Sequence, residues 1–410
     1  MAKWKKKERI RAFSRRQKKL LTWWLPSSPH NEKHIVAVSG AVRSGKTVAA
    51  IESFLLWSLS TFENASFVIA GKTISSLRRN VLWPMFDSLE DKGIPFEYKR
   101  STSEVLIGSN TYYCFGANTE ASQDTLQGLT SYGSLLDEAV LMPRNFVEQN
   151  FARASKEGAR HFLTMNPGSP RHYLKEEYLD KAEDKNLLVI SFTLEDNPSL
   201  SEEVKERLRK SFSGVFYRRF IQGHWALADG LVYQSFDEST MVVEKPPEDV
   251  KRAYIGIDYG TQNATVFLLI GVGDSGTLYV LDEYFHSGKK SKQKSPSQYS
   301  IDFQEFLKKH QKDYTIKRTY IDPAATHFIT QLYQDKIKGI AKAKNDVIPG
   351  ISAVSNLIAE DKLRVLKHCT NTIKELQTYS WDDKAPYDRP LKTSDHTCDA
   401  LRYVVYTQKI

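Results

Sequence analysis

Cysteine is scarce: Cys114, Cys369 and Cys398 are the only three in 410 residues. They are an odd, scattered set, which argues against a disulfide framework and shows no metal-ligand spacing. No apolar run approaches the roughly 20 residues needed to cross a bilayer, so no membrane role is expected. The N-terminus is basic but has no apolar core of the signal-peptide kind, which points to the cytoplasm. What remains is ordinary for a globular protein, with 40% hydrophobic and 26% charged residues. The length is too great for one ordinary core, so two domains are expected. A net charge of +9 leans toward a polyanionic partner without identifying one.

The chain is organised around residues 35–47, Ile-Val-Ala-Val-Ser-Gly-Ala-Val-Arg-Ser-Gly-Lys-Thr. Residues 35–38 read as a buried strand and residues 48–59 as a buried helix. Between them, Gly40-Ala-Val-Arg-Ser-Gly-Lys-Thr47 fits the phosphate-loop pattern at every fixed position. Gly40 and Gly45, with Ser44 between them, let the backbone turn its N–H groups inward around a polyphosphate. Lys46 supplies a point charge to the β/γ oxygens and Thr47 a hydroxyl to Mg²⁺. The helix N-terminus adds its partial positive charge. A nucleoside triphosphate with Mg²⁺ is the expected ligand.

Three further features of the first half could serve that ligand. Residues 134–139, Ser-Leu-Leu-Asp-Glu-Ala, form an apolar strand ending in acids. Asp137 would hold the Mg²⁺ through water, and Glu138 would orient the attacking water. Residues 162–167 are another short strand with a polar end, where Thr164 or Asn166 could sense the γ-phosphate or merely cap the strand. Gln17 precedes the apolar group Leu20, Leu21, Trp23 and Trp24, and its amide offers the donor and acceptor that an adenine edge needs. Residues 1–19 are dense in lysine and arginine, either to grip a phosphate backbone or as a solvated arm. Residues 67–70 read as a strand, residues 105–115 as a hairpin, and residues 173–179 and 201–220 as helices.

A new pattern begins at residue 254. Residues 254–260, 264–272 and 277–284 read as a three-stranded antiparallel meander. Residues 287–300 then form a polar loop with Lys289, Lys290, Lys292 and Lys294, which could track DNA phosphates. Helices are expected at 301–310, 351–359 and 394–406, with strands at 318–322 and 362–366. Asp258 and Asp322 close apolar strands, while Asp399 lies on the final helix with His396 three residues earlier on the same face. Strand-borne acids joined by a helix-borne acid are how ribonuclease-H-like nucleases clamp two Mg²⁺ or Mn²⁺ ions. Asp282, Glu283 and Asp395 compete as ligands on spacing alone. The stretch Ile255-Gly-Ile-Asp-Tyr-Gly260 also resembles the first phosphate hairpin of actin-like ATPases.

The ordered set of motifs resembles the large terminase subunits of tailed double-stranded-DNA bacteriophages over nearly the full length. The residues concerned are Gly40–Thr47, 135–139, Thr164-Met-Asn-Pro167, Phe220-Ile-Gln-Gly-His-Trp225 to Tyr233, Ile257-Asp258 and Asp395-His-Thr-Cys-Asp-Ala-Leu-Arg402. The resemblance implies an α/β chain: an additional-strand phosphate-loop ATPase at 31–228, then an RNase H-like nuclease at 250–410. Residues 1–30 would be a basic arm and 229–249 a linker. It places the adenine contact on Gln17, a catalytic arginine on Arg43, ATPase-to-DNA coupling on Thr164–Asn166, and nuclease metals on Asp258, Asp322 and Asp399 beside His396. His224 departs from it, standing where many relatives carry an acid. It further implies double-stranded DNA, a small terminase subunit and a portal protein as partners, in a ring of subunits in the host cytoplasm. The alternatives are a helicase or repair ATPase with an appended nuclease, and a nucleotide-dependent DNA-binding switch.

Overall fold

A computed structural model describes residues 13–260, 263–287, 293–382, 385, 387–393 and 395–408. It divides into two compact units that part at Leu227 and Ala228, with Ser211–Gly214 counted with the second.

Among the described residues, the first unit holds an eight-stranded sheet. Its strands are β1 (Ile35–Gly40), β2 (Ser66–Gly71), β3 (Phe96–Lys99), β4 (Glu104–Ile107), β5 (Asn110–Gly116), β6 (Gly133–Leu136), β7 (Arg160–Met165) and β8 (Leu187–Phe192). The order is β3-β4-β5-β2-β6-β7-β1-β8, parallel except for the antiparallel β3-β4-β5 edge. β7 therefore lies between the phosphate-loop strand β1 and the acid-bearing strand β6, which is the additional-strand arrangement. Every residue of β1 is buried, as a central parallel strand covered on both faces requires.

The helices of this unit are α1 (Arg15–Thr22), α2 (Lys46–Thr61), α3 (Ile74–Leu77), α4 (Trp83–Asp91), α5 (Arg144–Arg153), α6 (Glu202–Lys210) and α7 (Gly214–Phe220). On one face of the sheet, Phe54 and Trp57 of α2 meet Phe67 and Phe162, and Trp23 meets Phe162 in turn. These rings pack edge-on or tilted, with centroids 5.4–5.8 Å apart. Such rings contribute through buried area and through their preference for offset geometry. Leu136, Phe146, Leu163 and Met165 form the core on the other face. The single helix expected at 201–220 is instead two, α6 and α7, because Gly214 adopts a left-handed φ of 52° that no continuous helix contains.

The second unit carries α8 (Glu238–Met241), α9 (Pro296–His310), α10 (Thr326–Gln334), α11 (Val347–Ala359), α12 (Thr370–Thr378) and α13 (His396–Gln408). Its strands are β9 (Val242–Val243), β10 (Arg252–Asp258), β11 (Ala264–Val272), β12 (Leu278–Ser287), β13 (Thr315–Ile321), β14 (Ile340–Lys342) and β15 (Leu363–Leu366). They form one sheet in the order β14-β13-β10-β11-β12-β15-β9. The expected meander is β10-β11-β12, and β13 joins β10 in parallel. Two differences from the sequence reading have a clear local cause. Residues 242–243 of the expected linker pair with β15 as a sheet edge. The expected polar loop at 287–300 ends early, because Ser295 caps α9 in a capping box with Gln298 and Pro296 opens the helix.

Two candidate catalytic sites, one in each unit

In the first unit, β1 delivers the chain into the phosphate loop and α2 leaves it at Lys46. Arg43 and Gly45 both hold a left-handed φ, 57° and 81°. The glycine takes that conformation freely, whereas at Arg43 it is uncommon enough to mark a shaped loop. Asn197 Nδ2 donates to the Arg43 carbonyl at 2.7 Å, and the Val42 N–H donates to the Phe220 carbonyl at 2.8 Å, which ties the loop down from two sides. A side chain at Gly40 would collide with the Phe192 backbone, its Cβ only 2.0 Å from the carbonyl oxygen.

The charged residues converge behind that loop. Lys46 is buried, and its Nζ donates to Asn166 Oδ1 at 2.6 Å and to the Ala41 carbonyl at 3.1 Å. Asp137 Oδ1 accepts from Thr164 Oγ1 at 2.6 Å and from Thr47 Oγ1 at 3.2 Å. The Glu138 N–H donates to Thr164 Oγ1 at 3.3 Å, and Glu138 itself holds a left-handed φ of 58°. Non-glycine residues in that region cost energy and concentrate where a side chain must be aimed. Burial lowers the Lys46 ammonium to about 8 against the pull of Asp137 and Glu138. It raises both carboxyls, while Lys46, Lys72 and Arg79 oppose the rise at Glu138. Ser44 Oγ is buried without a hydrogen-bond partner among the described residues. An orphaned buried hydroxyl in a phosphate loop fits a place for phosphate oxygens.

Gln17 is placed at this loop, but its amide has structural work that the sequence reading missed. It is the N3 residue of a capping box, its Oε1 accepting from the Ser14 N–H at 2.9 Å. Its Nε2 lies beside Gly45, 2.7 Å from where a Cβ would stand there. The signal was legible, since Ser14 stands three residues before Gln17. Arg43 and His224 are exposed.

In the second unit, the register Ile257 opposite Ile321 brings Asp258 and Asp322 to neighbouring strand ends. α13 crosses this sheet so closely that a Cβ on Gly256 would lie 2.0 Å from the Ala400 carbonyl. Gly256 is thus required for helix–strand contact. His396 Nδ1 lies 2.8 Å from Asp258 Oδ2, and 4.0 Å from Asp395. Asp399 Oδ1 accepts from Arg402 Nε and Nη2 at 3.1 and 2.9 Å. Asp322 accepts from the Tyr403 hydroxyl at 3.0 Å and from Asn345 Nδ2 at 3.3 Å. His396, Asp399, Arg402 and Tyr403 all belong to α13 at helical spacing, so one helix face organises the site.

Among the described residues, no group of three or more His, Cys, Asp or Glu side chains is drawn together tightly enough to hold a metal ion. The donor chemistry nonetheless suits hard cations. Burial raises the Asp258 carboxyl, and the charges of Asp395 and Asp322 raise it further against the bond from His396. Burial likewise raises Asp399, to about 6, with Asp258 and Asp395 adding to it and Arg402 opposing. Burial pulls His396 down, but its bond to Asp258 leaves it net raised. Carboxylates that repel one another in a shared low-dielectric place are relieved by a divalent ion.

The competing acids separate cleanly. Asp282 is buried against His310 at 2.8 Å, Lys309 at 2.5 Å and His368 at 3.3 Å. Burial would raise its carboxyl, yet His310 and Lys309 hold it well below the usual range. Glu283 accepts four hydrogen bonds of 2.7–2.9 Å from Asn371 and Thr372, at the start of α12. Both acids are occupied structurally. Asp395 remains at the site, beside His396. Lys294 is paired with Asp302 at 2.6 Å and lies over the Tyr284 ring, while Lys289, Lys290 and Lys292 lie outside the described residues.

An additional-strand phosphate-loop unit followed by an RNase H-like sheet with strand-end acids defines a two-domain ATPase and nuclease class. Residues 38–240 match the family described as "Terminase large subunit, T4likevirus-type, N-terminal", and residues 258–407 the "Terminase RNAseH like domain". The solved large terminase of a thermophilic bacteriophage is 40% identical, with a TM-score of 0.90 over 98% of this chain and 99% of that one. The same protein in complex with ATP-gamma-S is 40% identical at a TM-score of 0.88, over 97% and 99%. The curated "Terminase, large subunit" of Escherichia phage T5 is 26% identical over 252 residues, 58% of this chain. That alignment spans about half the T5 protein, 56% of its length. The chain belongs to the terminase large subunit family. Its first unit is the ATPase domain of that family, and its second is the RNase H-like domain rather than an actin-like nucleotide hairpin.

Proposed function

We propose that the chain uses ATP to drive double-stranded viral DNA into a procapsid, and cuts concatemeric DNA with its second unit. What supports this most directly is the end of β7, where Thr164 and the following Asn166 touch Asp137 and Lys46, the two charged partners expected at a nucleotide's Mg²⁺ and γ-phosphate. Lys46, with the N–H groups of the phosphate loop from Arg43 to Thr47, would hold the β/γ-phosphates, and Gln17 would meet the base through Nε2. Thr47 and Asp137 would hold the Mg²⁺, which neutralises charge on the leaving phosphates. Glu138 would accept a proton from the attacking water and Arg43 would offer charge to the transition state. Loss of the γ-phosphate would free Lys46 and be registered by Asn166 and Thr164, the coupling step.

In the second unit Asp258, Asp322 and Asp399 would hold two Mg²⁺ or Mn²⁺ ions, which supply a nucleophilic hydroxide and neutralise the leaving oxygen. His396 orients the Asp258 carboxylate through its 2.8 Å contact. Lys289, Lys290 and Lys292 would line the DNA, while Lys294 is held by Asp302. A small terminase subunit, a portal protein and a ring of identical subunits complete the machine, in the host cytoplasm. No helix among the described residues is long and apolar enough to cross a membrane.

Purified full-length protein should show ATP turnover stimulated by duplex DNA, and Mn²⁺-dependent cutting of a plasmid. Thr164→Val and Asn166→Ala should keep ATP binding but lose most of the DNA stimulation. Full stimulation in both variants would remove the coupling role from β7.

A further inference from the structure

Glu375 is a buried carboxylate on α12 that neither proposed reaction uses, and it is only 4% exposed. Its Oε2 accepts two hydrogen bonds from one residue, the backbone N–H and the hydroxyl of Thr397, each at 2.6 Å. Thr397 is itself fully buried and lies in the first turn of α13. The N–H groups of a first turn have no partner inside their own helix, so an outside acceptor satisfies one that burial would otherwise orphan. A negative group there also faces the positive end of the helix dipole. Burial raises the Glu375 carboxyl, with the Thr397 bonds opposing.

Thr397 stands between His396 and Asp399, so whatever fixes it fixes their direction. The C-terminal part of α13 is anchored by the buried residues Leu401, Val404 and Val405. The first turn, which carries the chemistry, has Glu375 as its polar anchor. Side-chain ends ride roughly 5 Å from a helix axis, so a slip of about 20° would move them about 2 Å. That distance separates the His396–Asp258 contact from no contact, and a misplacement of about 1 Å can cost on the order of 10²-fold in rate.

We propose that Glu375 is a positioning residue of the nuclease centre, holding Thr397 so that His396 and Asp399 face Asp258. The inference rests on the nuclease reading of this unit. Full-length parent, Glu375→Ala, Glu375→Gln and Asp258→Asn proteins would be compared in two ways: Mn²⁺ titration followed by the EPR signal of free Mn²⁺, and plasmid cutting at saturating Mn²⁺.

Glu375→Ala should bind Mn²⁺ about 10-fold more weakly and cut on the order of 10²-fold more slowly. Glu375→Gln keeps the side-chain volume and an acceptor for Thr397, and should recover most of both. Parental Mn²⁺ affinity and cutting in Glu375→Ala, beside a dead Asp258→Asn, overturn the positioning role alone. Equal loss in the alanine and glutamine variants also overturns it, since the acceptor would then not be what matters. Parental behaviour of Asp258→Asn overturns the nuclease reading, and this inference with it.

Discussion

Lys46 Nζ lies 2.6 Å from Asn166 Oδ1, joining the cation of the phosphate loop to the end of β7. Two residues earlier in the chain, Thr164 donates to Asp137 at 2.6 Å. The end of β7 and the residue after it thus touch both charged partners of the site. The fold makes this possible because β7 lies between β1 and β6, with Val38 opposite Thr164 and Leu136 opposite Leu163. On the proposed coupling, a change in charge at the loop would reach β7 through these contacts.

Lys46→Ala and Glu138→Gln should each abolish ATP turnover. On the proposed roles, the first would remove the cation that faces the transferring phosphoryl group, and the second the base that orients water. Losses on the order of 10³-fold are expected for groups acting in a dry, preorganised site. Plasmid cutting by the second unit should persist in both variants. Steady-state ATPase assays decide it, and near-parental turnover in either variant would sink the assignment.

The burial of Lys46 gives ATP binding a pH signature. Its ammonium is lowered to about 8, so the charged form dominates below that pH and is lost above it. ATP affinity at fixed free Mg²⁺ should therefore weaken as pH rises through about 8. Lys46→Arg keeps its charge throughout and should show no such inflection, even where its turnover is poor. A dissociation constant that stays flat from about pH 7 to pH 9.5 in the parent would count against a titrating Lys46.

Asp258→Ala, Asp322→Ala and Asp399→Ala should each eliminate DNA cutting while leaving ATP hydrolysis intact. Each would remove a proposed hard oxygen ligand, so raising the DNA concentration should not rescue it. His396→Ala should keep partial activity, because an imidazole, unlike a carboxylate, brings no negative charge to a cation. Normal cutting by Asp258→Ala would turn attention to Asp395, the competing acid that stays beside His396.

The parts legible in the sequence were those with a local signature. The phosphate loop, the β4-β5 hairpin, the β10-β11-β12 meander and the terminal helix all announce themselves by spacing or periodicity. What escaped depends on contacts between distant residues. Asp282 and Glu283 look like ligands until His310, Lys309 and the first turn of α12 are seen to occupy them. Gly256 sits in a stretch that also fits a phosphate hairpin, and only its approach to Ala400 shows a packing role. Strands β3 and β8 went unread. β3 is a four-residue edge strand, and β8 finds its neighbour β1 across about 150 residues of chain. Glu375 gave no signal at all, since nothing in its surroundings along the chain marks it as an acceptor for Thr397.

The lysines after β12 divide into two groups with different expected behaviour. Lys294 already spends its charge on Asp302, and its ammonium stacks 5.9 Å from the centre of the Tyr284 ring. Replacing it with alanine should cost stability of about 1 kcal/mol or less, as for other half-exposed ion pairs, and leave DNA affinity nearly unchanged. If the remaining three track phosphates, replacing Lys289, Lys290 and Lys292 together should weaken DNA binding alike for every duplex sequence. It should also flatten the slope of log affinity against log salt by up to about 0.9 per lost contact. Fluorescence anisotropy with two unrelated duplexes at several salt concentrations measures both quantities. A triple variant with the parental salt slope and parental cutting rate would reduce this segment to a solvated loop.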